Sequence, residues 1–160
     1  MATLFCELLT PEHALRAGEA IGVVLRTSDG DLTVLSGHTP LVGDVVPGVV
    51  RVLREDEAEH FVVHGGFVQV ATARGAAAGL IAGVGDDELS TRVTLLAGVA
   101  EPLESVDVVR ATAARDAASA ALAELGAPDD DEERAARRLA LEGALARAEL
   151  RLAATGAAGQ

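Results

Sequence analysis

The chain has 160 residues, 49% of them hydrophobic, which suits one compact core of ordinary domain size with an appendage. Its formal net charge is −12, and all 13 basic residues are Arg. That balance opposes binding to nucleic-acid phosphates or an anionic lipid surface, which both need a basic face.

Taken in chain order, residues 1–10 carry no basic region ahead of their apolar residues, and no apolar run is long enough to span a bilayer. The expectation is a soluble chain that meets a membrane only through partners. The single cysteine, Cys6, cannot form an internal disulfide and is expected to fill space in a strand.

From Thr3 to about Val99, short runs of Val, Leu and Ile alternate with turn signals such as Asp29-Gly30, Gly37-His38-Thr39-Pro40 and Pro47-Gly48. The runs predict strands over residues 5–9, 21–25, 32–35, 49–53, 61–63, 67–70 and 93–96. No 3.6-residue periodicity intervenes, so crossover helices are excluded and an antiparallel β-sandwich or barrel is expected. The stretch from Thr72 to Thr91 has no firm period and reads as an extended hairpin or surface loop, with residues 78–84 a candidate strand.

After Glu104 the composition turns to Ala, Leu, Arg and Glu, that of helices. A first helix is expected from Ser105 as N-cap, with Asp107 in its first turn, to Leu125, where Gly126-Ala127-Pro128 stops it. A second helix follows Asp129-Asp130-Asp131, whose charges suit a helix N-terminus. Apolar stripes are expected along Val106, Val109, Ala113, Ala117 and Ala120 on the first helix, and along Leu141, Leu145, Ala148 and Leu152 on the second. The short connection makes the pair an antiparallel hairpin with a thin core. The fold class is therefore α+β, with a β-sandwich over residues 1–104 and a helical hairpin over residues 105–160.

Several segments resemble the epsilon subunits of bacterial F-type, rotary ATP synthases. The stretch from Thr27 to Leu41 is similar to the family's turn, strand and "PGHxPL" loop, with Ser36 in place of the usual Pro. His64-Gly65-Gly66-Phe67-Val68-Gln69-Val70 is similar to "xGGFxxV", and Arg92 to Ala97 followed by Ala100-Glu101 to "VTILAxxAE". The segment from Thr72 to Thr91 is longer than the family's turn at that place.

The resemblance implies a non-catalytic central-stalk subunit that couples the gamma subunit to the ring of c subunits in proton-driven ATP synthesis. It implies a peripheral position on the cytoplasmic face of the cell membrane, and inhibition of ATP hydrolysis when the hairpin reaches the alpha and beta subunits. A freestanding β-sandwich binding module with a helical dimerisation tail would show the same hydrophobic pattern. An enzyme is the weakest reading, since Lys and Tyr are missing, Cys6 has no sequence-local base, and no G-x-x-x-x-G-K-[ST] loop occurs.

Val106-Asp107-Val108-Val109-Arg110-Ala111 is similar to the family's "I/L-D-x-x-R-A" nucleotide motif, and Arg147 with Arg151 to its "RxxxR" half. With the turn centred near Pro128, Arg110 comes beside Arg147, and Asp107 falls between Arg147 and Arg151. Converging guanidinium groups suit a triphosphate, with Asp107 and Glu101 as acceptors for the adenine amino group, so regulatory ATP is the implied ligand. The competing reading is a helix-terminal Asp107 and surface ion pairs of Asp107 and Glu149 with those arginines, each contributing about 0–1 kcal/mol. No required cofactor and no metal site is expected, because His60 and His64 would stand about 13 Å apart on a strand.

Asp31 and His38 are the residues the resemblance turns toward the c ring. For His38 the local alternative is a turn residue bonded to nearby backbone. Arg134, Arg137 and Arg138 open the second helix among Glu132 and Glu133; they read either as a solvated face or as contacts to acidic residues of the catalytic subunits.

Overall fold

In the computed structural model, residues 2–73, 90–128 and 131–158 are described. They divide into two compact units, Met1–Glu104 and Ser105–Gln160.

The first unit is built from ten strands: β1 (Leu4–Leu9), β2 (Ala14–Ala20), β3 (Gly22–Thr27), β4 (Gly30–Leu35), β5 (Leu41–Val45), β6 (Gly48–Leu53), β7 (Ala58–Val63), β8 (Gly66–Ala73), β9 (Ser90–Ala97) and β10 (Ala100–Pro102). Hydrogen bonding runs in the order β10-β7-β6-β3-β5-β8-β9-β1-β2, with β4 added on β3. The link between β3 and β5 is a single rung, Thr27 to Val45. The path therefore folds there into two five-stranded layers, β10-β7-β6-β3-β4 and β5-β8-β9-β1-β2.

Period-2 alternation explains the core. Leu4, Cys6 and Leu8 of β1 face Val93 and Leu95 of β9, Val68 and Val70 of β8, and Val23, Val34, Val50, Val52 and Val63 from the opposite layer. All are buried, and Cys6 is a space-filling core residue as expected. Burial pushes its thiol up to about 11, so thiolate is scarce at neutral pH.

Three strands escaped the sequence reading. β2 (ALRAGEA) holds no β-branched residue, β5 (LVGDV) is interrupted by Gly43, and β10 is three residues long. The pairing of β1 with β9 is parallel, which departs from the otherwise antiparallel expectation. Their register buries Cys6 beside Val93 and Leu8 beside Leu95.

β2 and β10 end the path, so the layers meet along a seam without strand pairing. Arg16 of β2 closes it: Nε donates to Glu59 Oε2 of β7 at 2.8 Å, Nη1 donates to the Cys6 and Gly18 carbonyls at 3.0 and 2.8 Å, and Nη2 donates to the Glu19 carbonyl at 2.7 Å. Arg54 Nη1 holds the other Glu59 oxygen at 2.8 Å.

In the second unit, α1 (Val108–Leu125) and α2 (Glu132–Ala158) pack as a hairpin. Ser105 is not the N-cap; it closes a 3₁₀ turn, Leu103–Ser105, and Asp107 caps α1 by accepting from the Arg110 N–H at 2.9 Å. Asp107 has the carboxylate that best meets the orphan N–H groups of the first turn. Gly126 ends α1 at φ +74°, a left-handed position that glycine adopts without a Cβ penalty. Asp131 caps α2 through the Arg134 N–H at 2.9 Å.

The stripe expected on α1 is overturned. Val109, Ala113, Ala117 and Ala120 are exposed, Val109 by 81%, and the inward face carries Ala111, Ala118, Leu122 and Leu125. Alanine lies on every side of α1, so composition marks no face; Leu122 and Leu125 decide the register by offering more apolar area than any all-Ala line. On α2 the expected stripe holds, with Ala148 buried and Leu141, Leu145 and Leu152 half-buried. The seam is thin, because each alanine methyl contributes about 0.8 kcal/mol where a leucine contributes two to three times as much.

Candidate functional site

Three groups of residues were singled out by sequence: Asp31 with His38, the expected nucleotide set, and the basic cluster that opens α2. In the first unit the loop from Gly37 to Pro40 is tied down by hydrogen bonds that the sequence did not announce. The Gly37 N–H donates to Thr91 Oγ1 at 2.8 Å, Thr72 Oγ1 donates to the His38 carbonyl at 2.7 Å, and the two threonine hydroxyls are 3.1 Å apart. Thr91 is buried, and it faces Thr72 across the β8–β9 ladder. The matched threonines become visible as a pair only once that register is known.

Within the loop the His38 N–H donates to the Leu35 carbonyl at 3.1 Å, and Nδ1 donates to the Thr39 carbonyl at 2.8 Å. The ring thus has the local backbone role. Asp31 lies on β4, exposed, 3.7 Å from Arg26 Nη1. The tie holds in place the half-exposed loop between β4 and β5. Thr72 and Thr91 also bracket residues 74–89, and the candidate strand at 78–84 lies outside the described residues.

In the second unit, Asp107 is spent on the α1 cap, and Arg110 and Arg147 are exposed. A Cβ placed on Gly143 would meet Arg147 Nη1 at 3.2 Å, so the Arg147 guanidinium folds back one turn along its own helix. Arg151 is half-buried. Glu101 belongs to the first unit, on β10, with Oε1 3.8 Å from His64 Nε2. Within this set Asp107 meets Arg110 through the latter's backbone N–H. Among the described residues no ion pair links Asp107 to Arg110 or Arg147.

Arg134 and Arg138 of the basic group reach back to the turn: Arg134 Nη2 donates to the Leu125 carbonyl and Arg138 Nη2 to the Gly126 carbonyl. Arg137 is exposed. Gly65, at φ +92°, and Gly66 form the bend that starts β8, as the sequence indicated. None of the described helices is long and apolar enough to cross a membrane.

Comparison with known proteins gives one consistent picture. A family model described as the ATP synthase Delta/Epsilon chain β-sandwich domain matches residues 3–74. The ATP synthase epsilon chain of Desulforudis audaxviator is 37% identical over 122 residues, 76% of either chain. That of Thermobifida fusca is 41% identical over 114 residues, 69% of this chain and 71% of the relative. That of Symbiobacterium thermophilum is 34% identical over 158 residues, 98% and 96% of the two chains, and so extends through the hairpin. A chain of the Euglena gracilis mitochondrial ATP synthase OSCP/F1/c-ring assembly matches with a TM-score of 0.67 at 24% identity, over 96% of this chain and 82% of its own, a likeness of fold.

Proposed function

This chain belongs to the ATP synthase epsilon-chain family, a non-catalytic subunit of the complex, and on that premise we propose that its sandwich couples the gamma subunit to the c ring while its hairpin restrains ATP hydrolysis. The observation that carries this reading is the contrast in packing. The sandwich has a core of interlocked Val and Leu from both layers, whereas the hairpin shuts on a seam of alanines and half-buried leucines. A stiff body transmits torque, and a thinly packed element exchanges between a folded and an extended state when a ligand or partner prefers one of them.

In this reading the anchored loop at Gly37–Pro40, with Asp31, faces the c ring, and another face of the sandwich packs on gamma. The chain then lies peripherally at the cytoplasmic face of the cell membrane. The folded hairpin permits turnover; the extended one meets the alpha and beta subunits through Arg134, Arg137 and Arg138. Copurification tests the assembly: tagged chain is expected to bring down gamma and c subunits. A freestanding module would come out alone.

ATP binding is the finer part of the proposal. Asp107, Arg110, Arg147 and Arg151 would hold a regulatory ATP that favours the folded hairpin. Arg110 and Arg147 are exposed and able to turn toward a triphosphate. Calorimetry at millimolar MgATP is expected to show binding heat that Arg110→Ala abolishes. Absence of heat in the parent chain, or equal heat in the variant, removes the nucleotide from the mechanism and leaves coupling intact.

A further inference from the structure

We propose that the hairpin is held shut by a latch at its tip, formed by Arg134 and Arg138 of α2 on the terminal carbonyls of α1. The last carbonyls of a helix have no partner within it. Gly126 turns the chain out of α1, and its own N–H goes back to the Ala123 carbonyl at 3.3 Å, which leaves the Leu125 and Gly126 carbonyls to be satisfied from elsewhere. The two guanidinium groups meet them one each, from the facing helix. They place positive charge at the negative end of the α1 dipole, and Asp131 caps the start of α2 in the same turn.

Apolar packing is incomplete at this end, beyond the half-buried Leu122 and Leu125. A cavity of about 230 Å³ opens between the turn and α2, lined by Leu125, Pro128, Ala135 and Leu139 among others, and Leu139 is 72% exposed. Further along, the buried residues of the two helices are alanines, Ala111, Ala118, Ala148 and Ala154. Closure of the tip therefore draws on the two arginines as well as on the leucines. Because they act on backbone carbonyls, the latch tolerates sequence change in α1 but not loss of the guanidinium groups. A surface rich in carboxylates would compete for the same donors and release the tip.

The test uses the full chain with Cys6→Ala and spin labels at two exposed positions, Ala113→Cys on α1 and Ala146→Cys on α2. Pulsed electron paramagnetic resonance is expected to report one short distance in the parent. Arg134→Gln with Arg138→Gln is expected to shift the ratio of closed to open hairpins by roughly tenfold, the size expected of two solvent-exposed charge-assisted bonds. Arg137→Gln is the control and is expected to leave the distribution alone. An unchanged distribution in the double variant overturns the latch, and so does equal opening in the control. If the double Gln variant loses its helices, Arg134→Lys with Arg138→Lys decides. A short distance at low salt that spreads at about 1 M salt supports a charge-to-carbonyl latch, and indifference to salt overturns it.

Discussion

Gly66→Ala is expected to cost about 3–5 kcal/mol, a large share of the stability of a domain this size. Gly66 starts β8 at φ +153° and pairs with Val45 on one side and Ala97 on the other. A Cβ there would fall 2.0 Å from the Leu96 carbonyl oxygen and 3.0 Å from the Ala97 Cα. Both obstacles are backbone of the neighbouring strand, so no rotamer change relieves the clash; β8 and β9 must separate at that end. Urea unfolding followed by circular dichroism checks it. Gly98→Ala is the companion measurement, since nothing lies within 4 Å of a Cβ at Gly98, and it should change stability by no more than about 0.5 kcal/mol.

Arg16→Met should cost about 3 kcal/mol, near the lower end for breaking a buried ion pair, because Glu59 keeps Arg54 as a partner. The Arg16 side chain is only 9% exposed, and its loss strands three carbonyls along the unpaired seam. Arg16→Lys should recover only part of the loss, since one ammonium cannot reproduce the fork that reaches four acceptors. The sole thiol gives a second readout. Cys6 is buried in the parent and is expected to be inert to a thiol reagent, and to react faster in Arg16→Met as the β1–β2 edge loosens.

The family was legible in the sequence because its motifs lie at turns, where glycine, proline and histidine are forced by geometry rather than chosen by packing. The Gly65-Gly66 bend and the Gly126 stop stand where those residues indicated. Strands rich in Val, Leu and Ile were equally visible. β2 was not, because an edge strand anchored by one arginine has no need of β-branched residues. The inward face of α1 was hidden for a different reason: when most positions are alanine, the seam is set by two leucines near the turn, and periodicity counted from the other end drifts off it. The basic cluster at Arg134 and Arg138 read as solvated or partner-facing, since a guanidinium that caps a helix from across a turn leaves no local pattern. The nucleotide-site residues were found by resemblance, and Asp107 meets Arg110 through the helix cap.

The rotor and restraint reading meets its most direct test in ATP hydrolysis by the complex reconstituted with this chain, either whole or ending at Glu104. The truncated form is expected to assemble through its sandwich and to raise the hydrolysis rate several-fold over the full chain. Equal rates from two fully assembled complexes would contradict restraint by the hairpin.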